Sequence, residues 1–240
     1  MLLLDVGNSR CKWALIQAGE WVRQGAAGNT EWTSLQHAFS RLPQPSRILV
    51  SNVAGEAMAQ RLCGVCAMWN LPLEFVTASA EQDGVRNGYE RPERLGSDRW
   101  AALIAAWSRV HGACLVVNCG TATTVDALSA QGEFLGGIIL PGVSLMQRSL
   151  ATNTAQLSAE QGTLQDFPRN TADAIHSGML HATLGAIQHQ FGLLRTRCGD
   201  VRCLLGGGAA DVVQPHLGLP LERVDNLVLK GLQIIGESKA

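Results

Sequence analysis

Two short turns of the sequence combine glycine with side chains suited to phosphate oxygens. Gly7-Asn8-Ser9 separates the apolar runs 2–6 and 11–16, and Gly120-Thr121 follows the apolar run 114–118. A glycine between two strands lets backbone N–H groups approach a ligand closely, and successive exposed amides form an anion-binding concavity. Each turn therefore predicts a phosphate contact. The alternative is ordinary hairpin chemistry, in which Gly-Asn is simply a favourable turn.

Charged residues accompany the first of these turns. Asp5 lies next to the end of the first apolar run, and Lys12 lies next to the start of the second. The Asp5 carboxylate could hold Mg²⁺ directly or through water, since hard cations take oxygen ligands, and Lys12 would bring a positive charge to the phosphates. Neither turn is a Walker loop, because the chain contains no G-x-x-x-x-G-K-[ST] segment.

Asp98 and Arg99 stand at the start of a predicted helix over 97–110. The structural explanation is that Ser97 caps the helix and that Asp98 in the first turn favours the helix dipole. The functional interpretation takes Asp98 as a base facing a substrate hydroxyl and Arg99 as a bidentate partner for a carboxylate. We expect a low pKa for an acid at a helix N-terminus. Phosphoryl transfer tolerates such a weak base, because it depends mainly on positioning and charge neutralisation.

A third glycine feature, Gly206-Gly207-Gly208, follows the apolar run 201–205. A strand that enters a glycine cluster and then a helix permits close backbone approach by a flat or phosphorylated ligand. The alternative is a flexible turn between a strand and a helix.

The elements that must position these residues alternate between strand and helix, which is typical of an α/β protein. The predicted strands are 2–6, 11–16, 47–53, 74–77, 114–118, 133–140 and 201–205. The predicted helices are 56–69, 97–110, a helix that follows Gly142 and runs through Leu150, 171–195 and 226–235, and 82–95 is a predicted loop.

An internal repeat relates the two halves of the chain. Residues 2–15 placed over 115–128 align Leu-Leu-Leu-Asp-Val-Gly-Asn with Leu-Val-Val-Asn-Cys-Gly-Thr, and both segments end in Ala-Leu. A match of this length also arises by coincidence. Taken at face value, it predicts two related α/β domains, 1–112 and 113–240, each beginning with a hairpin whose turn contacts a ligand.

The composition excludes several classes of protein. Of 240 residues, 46% are hydrophobic and 16% charged, which excludes a disordered chain, a coiled coil and a collagen. The net charge of −1 provides no basic surface for nucleic acid, and no apolar run reaches the ~18 residues that span a membrane. The seven cysteines, an odd number mostly in apolar surroundings, suit a reducing compartment and predict a cytoplasmic protein.

Four segments, in chain order, resemble the type III pantothenate kinase family. They are Asp5-Val-Gly-Asn-Ser9, Tyr89-Glu-Arg-Pro-Glu-Arg-Leu-Gly-Ser-Asp-Arg99, Gly120-Thr-Ala-Thr-Thr-Val-Asp126 and Gly136-Gly-Ile-Ile-Leu-Pro-Gly142. The resemblance implies an α/β fold of the actin-like ATPase superfamily, with two ribonuclease H-like domains and a nucleotide cleft between them. This agrees with the internal repeat. It also implies ATP-dependent phosphorylation of the primary hydroxyl of pantothenate, the first step toward coenzyme A.

The resemblance assigns roles to individual residues. Asp98 is similar to the family's proton acceptor, the general base of in-line phosphoryl transfer. The implied ATP contacts are Asp5, Val6, Gly7, Asn8, Ser9, Arg10, Cys11, Lys12 and Thr121. The implied pantothenate contacts are Tyr89, Gly96, Ser97, Asp98, Arg99 and Thr171. For Thr171 the alternative is a plain helix N-cap.

One position departs from the family's pattern. Asn118 stands where the family usually places an aspartate that helps to bind a monovalent cation, K⁺ or NH₄⁺. An amide oxygen still ligates a cation but contributes less to holding it. The resemblance further implies a homodimer, for which the apolar helices 97–110 and 171–195 are candidate interface elements.

Two other functions stay open at this point. A catalytically silent regulatory or accessory protein on the same fold predicts loss of Asp5, Asp98 or Thr121, yet all three are present. A kinase for another small hydroxy acid is the second. The Asp98-Arg99 pair with Tyr89 nearby suits a ligand that bears both a hydroxyl and a carboxylate, which favours pantothenate.

Overall fold

The computed structural model describes residues 1–154, 157 and 160–238, and strands alternate with helices throughout. The strands are β1 (Leu2–Val6), β2 (Arg10–Gln17), β3 (Glu20–Gly28), β4 (Ile48–Asn52), β5 (Leu73–Phe75), β6 (Glu81–Gln82), β7 (Val85–Asn87), β8 (Cys114–Cys119), β9 (Ala122–Leu128), β10 (Glu133–Pro141), β11 (Arg202–Gly206) and β12 (Leu221–Arg223). The helices are α1 (Trp32–Ser40), α2 (Glu56–Cys66), α3 (Ser97–Val110), α4 (Val143–Asn153), α5 (Thr171–Cys198), α6 (Ala210–Val213) and α7 (Leu227–Ser238).

The chain forms two compact units. The first unit contains residues 1–109 and the C-terminal segment from 226, and the second contains residues 110–225. The predicted domains, 1–112 and 113–240, differ from these units chiefly in α7, which packs on β1, β2 and β4 of the first unit. The domain boundaries therefore stay a prediction.

The first unit is built on a five-stranded sheet in the order β3-β2-β1-β4-β5. β2 pairs antiparallel with β1 and β3, whereas β4 pairs parallel with β1 and β5. Leu2, Leu3 and Leu4 in the central strand are all fully buried. A continuous apolar run of this kind is typical of a strand that is covered on both faces, which explains why β1 was recognisable in the sequence.

Five strands of the second unit repeat this plan, in the order β10-β9-β8-β11-β12. β8 pairs antiparallel with β9 and parallel with β11, as β1 does with β2 and β4. The correspondence of β1 with β8 agrees with the alignment of residues 2–15 on 115–128. Each unit therefore opens with a hairpin whose first strand is the middle one of these five.

Most predicted strands and helices are confirmed, with ends that differ by a few residues. The predicted helix 56–69 ends at Cys66 and continues as a 3-10 turn, Ala67–Trp69. The predicted loop 82–95 contains β7 and part of β6, which pair with each other. None of the helices within the described residues has the length and apolar character to cross a membrane.

Candidate functional site

The turn between β1 and β2 is closed by backbone hydrogen bonds. The N–H of Gly7 donates to the carbonyl of Arg10 at 3.1 Å, and the N–H of Asn29 donates to the carbonyl of Ser9 at 3.0 Å. The side-chain amide of Asn29 donates to the carbonyl of Gly7 at 2.7 Å. The side chains of Asn8, Ser9 and Arg10 are exposed. The turn is thus closed by hydrogen bonds from Gly7 and Asn29, and its polar side chains are exposed.

Alternation along the two strands separates the predicted ATP contacts into two groups. Val6 and Cys11 are paired across the hairpin, and their side chains belong to the hydrophobic core. Asp5 and Lys12 form the neighbouring pair. Side chains directly opposite each other on antiparallel strands lie within reach of one another. Val6 and Cys11 can therefore offer a ligand only backbone groups, whereas Asp5 and Lys12 offer opposite charges.

Asp98 lies close enough to Asp5 for the two carboxyls to interact. Burial raises the pKa of Asp5 to about 7, the positive charge of Lys12 opposes this shift, and the negative charge of Asp98 adds to it. The first unit thus brings Asp98 close to Asp5 and Lys12, which precede it in the sequence by more than eighty positions. A half-ionised carboxyl beside a lysine is the kind of perturbed group that marks candidate functional sites.

The pKa of Asp98 corrects an expectation from the sequence. We expected a low value at a helix N-terminus, but burial raises the pKa of Asp98. The backbone N–H of Arg99, which donates to Oδ1 at 2.8 Å, and the charge of Arg99 only partly offset burial. A β-carbon at Gly96 would lie 2.7 Å from Asp98 Oδ1, so the glycine leaves room for the carboxylate.

Ser97 has a different role from the predicted cap. It is the first residue of α3, and the N–H of Trp100 donates to the carbonyl of Gly96, which places Gly96 at the cap position. The buried hydroxyl of Ser97 shares a 2.9 Å hydrogen bond with Ser51 on β4. Because that hydroxyl joins α3 to the sheet, we expect the backbone of Ser97 to make any contact with a ligand.

Arg99 and Tyr89, both predicted substrate contacts, touch each other. Nη1 of Arg99 donates to the Tyr89 hydroxyl at 2.8 Å, and the guanidinium lies 5.6 Å from the centre of the Tyr89 ring. Arg99 is only 6% exposed. A guanidinium stacked on an aromatic ring is preorganised for bidentate recognition of a carboxylate.

The turn between β8 and β9 carries Asn118 and Thr121 in the second unit. Asn118 is half-buried near the end of β8, opposite Thr124 in the register. The N–H of Gly120 donates to the carbonyl of Ala122 at 3.0 Å, and the N–H of Gly142 donates to the carbonyl of Thr121 at 2.9 Å. Sequence reasoning included Gly142 only as the end of a motif and missed its contact with this turn.

Thr171 is the first residue of α5, and the structure removes the alternative that it caps the helix. The side chain of Asn170 accepts from the N–H of Asp173 and is the N-cap. Thr171 is exposed and opens on a mostly apolar cavity of about 1110 Å³ between α4 and α5. Phe167, which is 90% exposed, precedes Pro168 in the wall of this cavity.

The glycine cluster 206–208 begins where β11 ends. Gly207 has a φ of +94°, and a β-carbon there would overlap the backbone of Cys119. The cluster therefore lies directly against the residue that precedes Gly120 and Thr121. Sequence reasoning found the glycines but missed Arg223, which donates to the carbonyl of Gly207 at 3.3 Å. No sequence signal marks Arg223, because the contact depends on strand order.

Solved structures with the same arrangement come from several functional classes. A protein described as a Baf family transcriptional activator from Campylobacter jejuni has a TM-score of 0.64 at 20% identity, covering 100% of this chain and 98% of its own. A protein described as a 2-dehydro-3-deoxygalactonokinase from Sinorhizobium meliloti has a TM-score of 0.60 at 16% identity, covering 99% and 98%. The fold is therefore the α/β fold shared by sugar kinases and actin-like ATPases.

Sequence comparison specifies the family within that fold. The family model for type III pantothenate kinase matches residues 1–192. The type III pantothenate kinase of Aromatoleum aromaticum is 47% identical over 100% of this chain and 99% of its own. That of Nitrosospira multiformis is 45% identical over 98% of this chain and 90% of its own. The chain belongs to the type III pantothenate kinase family.

Proposed function

We propose that this protein phosphorylates the primary hydroxyl of pantothenate with ATP and so opens the route to coenzyme A. The observation that carries the proposal is the group formed by Asp5, Lys12, Asp98, Arg99 and Tyr89 in the first unit. This group combines charges suited to phosphates with a base and a carboxylate receptor. Family membership at 45–47% identity supports the same activity.

Asp98 acts as the general base in this proposal. It accepts the proton of the pantothenate hydroxyl while that oxygen forms a bond to the γ-phosphorus of ATP and the bond from phosphorus to the leaving ADP oxygen breaks. The raised pKa of Asp98 suits this role, because a carboxylate with higher proton affinity takes a proton more readily. The positive charge of Lys12 favours the negative phosphoryl oxygens.

The nucleotide and its ions have several candidate partners. The turn 7–9, Lys12 and Thr121 are suited to the phosphates of ATP. Bound Mg²⁺ would neutralise phosphate charge, and Asp5 is suited to hold it directly or through water. Within the described residues no three His, Cys, Asp or Glu side chains gather into a metal site, so phosphates and water would supply the other ligands. A monovalent cation would meet the weaker amide ligand of Asn118.

The substrate carboxylate pairs with Arg99 in this proposal, and Tyr89 keeps that guanidinium in place. Thr171 supplies a further hydroxyl from the cavity between α4 and α5. We further propose a homodimer formed through that cavity, because its wall is mostly apolar and includes Ile175 and Met179 of α5. All seven cysteines lie among the described residues and are free, which supports a reducing, cytoplasmic setting.

The decisive experiment measures ADP release by the purified protein with ATP and Mg²⁺, with and without pantothenate. We expect turnover that depends on pantothenate, and a higher rate in K⁺ than in Na⁺ if Asn118 still ligates the cation. Absence of turnover despite ATP binding would contradict the proposal and favour a regulatory protein. Turnover with a different hydroxy acid alone would assign another kinase activity.

Asp98→Asn tests the role of the base within that assay. The amide cannot accept the proton, so we expect kcat to fall by at least about 100-fold while the Kd for ATP stays nearly constant. The matched control is Asp200→Asn, which alters an exposed acid just beyond the end of α5. Full activity of Asp98→Asn would show that Asp98 is not the base and has only the structural role of an acid at a helix N-terminus.

A further inference from the structure

Three parallel strands of the second unit end at one edge of the sheet. β8 pairs parallel with β11, and β11 pairs parallel with β12. Their last residues are Cys119, Gly206 and Arg223. Because parallel strands share a direction, the turn at Gly120-Thr121, the glycine loop 206–208 and Arg223 are neighbours. Ligands of open α/β sheets bind at this carboxyl edge.

The glycine loop is fixed to the end of β8 by backbone contacts. The N–H of Ala209 donates to the carbonyl of Cys119 at 2.9 Å. Gly207, in a left-handed conformation, leaves no room for a side chain above the Cys119 backbone. Displacement of the loop would therefore shift the residue that leads into Gly120 and Thr121.

Arg223 holds this loop from the opposite side. Its Nη2 donates to the carbonyl of Gly207 at 3.3 Å and lies 3.2 Å from Asp225 Oδ1 and 3.5 Å from Asp211 Oδ1. Its Nε donates to Asp225 Oδ1 at 3.2 Å. The Nη1 atom is buried and has no hydrogen-bond partner among the described residues. The planar guanidinium is thus held by two carboxylates. It contacts the backbone carbonyl of Gly207, a position where a side chain has no room.

The charge of Arg223 also reaches the turn. Burial raises the pKa of the Cys119 thiol to about 11, and the positive charge of Arg223 opposes that shift. The guanidinium of Arg223 therefore acts on the residue that directly precedes Gly120.

We propose that Arg223 is a positioning residue for the nucleotide, which fixes the carbonyl of Gly207 and thereby aligns the glycine loop with the turn that carries Thr121. This inference rests on the proposed kinase activity and extends it to a residue that contacts the loop rather than the reacting atoms. The competing explanation is an ordinary surface cluster of ion pairs. Asp211 and Asp225 are 82% and 73% exposed, and such pairs contribute little to stability. That explanation predicts unchanged nucleotide binding.

The test compares Arg223→Gln and Arg223→Lys in the full-length protein. Loss of a charged hydrogen bond that aligns the loop should weaken Mg·ATP binding by about tenfold, measured directly by titration calorimetry. We expect the KM for ATP to rise in parallel, with the KM for pantothenate unchanged. Arg223→Lys keeps the charge but lacks the planar fork, so it should bind ATP as weakly as Arg223→Gln.

The matched control is Arg202→Gln, which removes an exposed arginine at the other end of β11. It should bind Mg·ATP like the wild type and melt at the same temperature as Arg223→Gln. Equal increases in both KM values, unchanged ATP binding, or recovery of binding by Arg223→Lys would each overturn the positioning role. A wild type that binds ATP but does not phosphorylate pantothenate would refute the proposed activity alone. A wild type that fails to bind ATP would refute both.

Discussion

Two opposing influences act on the carboxyl of Asp98. The N-terminus of α3 supplies a backbone N–H donor and a favourable dipole, both of which stabilise the charged form. Burial removes the carboxylate from water and destabilises that form, and its effect is the larger one. Asp98 consequently combines an aligned, hydrogen-bonded carboxylate with a raised proton affinity. A proton acceptor for an alcohol needs both properties.

The buried carboxyl of Asp5 should make the stability of the protein depend on pH. Its folded-state pKa of about 7 exceeds the ordinary value of 3.8. Between these values the folded protein holds a proton that the unfolded chain has released. The contribution of Asp5 to the free energy of unfolding is therefore fully present below about pH 4 and is lost as the pH rises through about 7.

Asp5→Asn should remove this dependence. Relative to the wild type, the variant should gain on the order of 3 kcal/mol of unfolding free energy between about pH 4 and about pH 8, measured by urea denaturation. Subtraction of the two proteins cancels the titrating groups that do not interact with Asp5. The exposed Asp200→Asn serves as the control. Parallel pH profiles for wild type and Asp5→Asn would show that burial does not perturb Asp5.

The direction of the Asp98 shift was the point at which sequence reasoning failed. The helix start at Ser97 and the position of Asp98 in its first turn were readable from residue types. Burial depends on which elements pack around the helix, and the Ser97–Ser51 hydrogen bond joins positions 46 residues apart. Local rules include the helix dipole but not desolvation by distant strands, so they predicted the wrong direction.

At the scale of elements, the strands and helices that the sequence predicts best are the most deeply buried ones. β1 and β8 were predictable because buried central strands are continuous apolar runs. β3 and α1 were missed. Five of the nine residues of β3 are exposed and one is buried, and α1 has only Leu35 and Phe39 fully buried. The pairing of Asp5 with Lys12 followed from hairpin geometry, whereas the contact of Arg223 with Gly207 required the strand order.

Helix α7 provides a prediction about packing within the first unit. A β-carbon at Gly231 would overlap backbone atoms of Ala101 in α3, so the two helices approach too closely for any side chain. Gly231→Ala should lower the free energy of unfolding by about 3 kcal/mol through overpacking, although alanine favours helix. We expect the melting temperature to fall by on the order of 10 °C.

The control for this substitution is Gly64→Ala in α2, where a β-carbon has no atom within 4 Å. Higher helix propensity should leave its melting temperature equal to or above that of the wild type. Equal melting temperatures for the two variants would contradict close packing of α7 against α3.

The order of the elements explains why the two compact units do not coincide with the two halves of the sequence repeat. Each half of the sequence generates five strands that pair in the same order, but the last helix returns to the sheet that the first residues begin. The repeat could be recognised in the sequence because it lies in the hairpins. The return of α7 could not, since an amphipathic helix does not specify which sheet it covers.

At the scale of the assembled molecule, the cavity between α4 and α5 carries the last prediction. Leu145 and Met179 contribute to its apolar wall. Phe167, whose ring is exposed, directly precedes Pro168 of that wall in the sequence. Leu145→Asp should convert the proposed dimer into a monomer, because a charge in an apolar interface loses its hydration without gaining a partner. Sedimentation velocity would measure the change, and we expect the dimer Kd to rise by at least about 100-fold.

The substitution Met68→Asp offers a matched comparison, since Met68 is an exposed apolar residue of the first unit. It should leave the association state unchanged. Because Thr171 borders the same cavity, Leu145→Asp should also raise the KM for pantothenate, whereas Met68→Asp should not. A wild type that sediments as a monomer, or a Leu145→Asp variant that stays dimeric, would show that this cavity does not bind a second copy of the chain. If the dimer dissociates and the KM for pantothenate stays constant, the cavity serves association alone and Thr171 lies outside the substrate site.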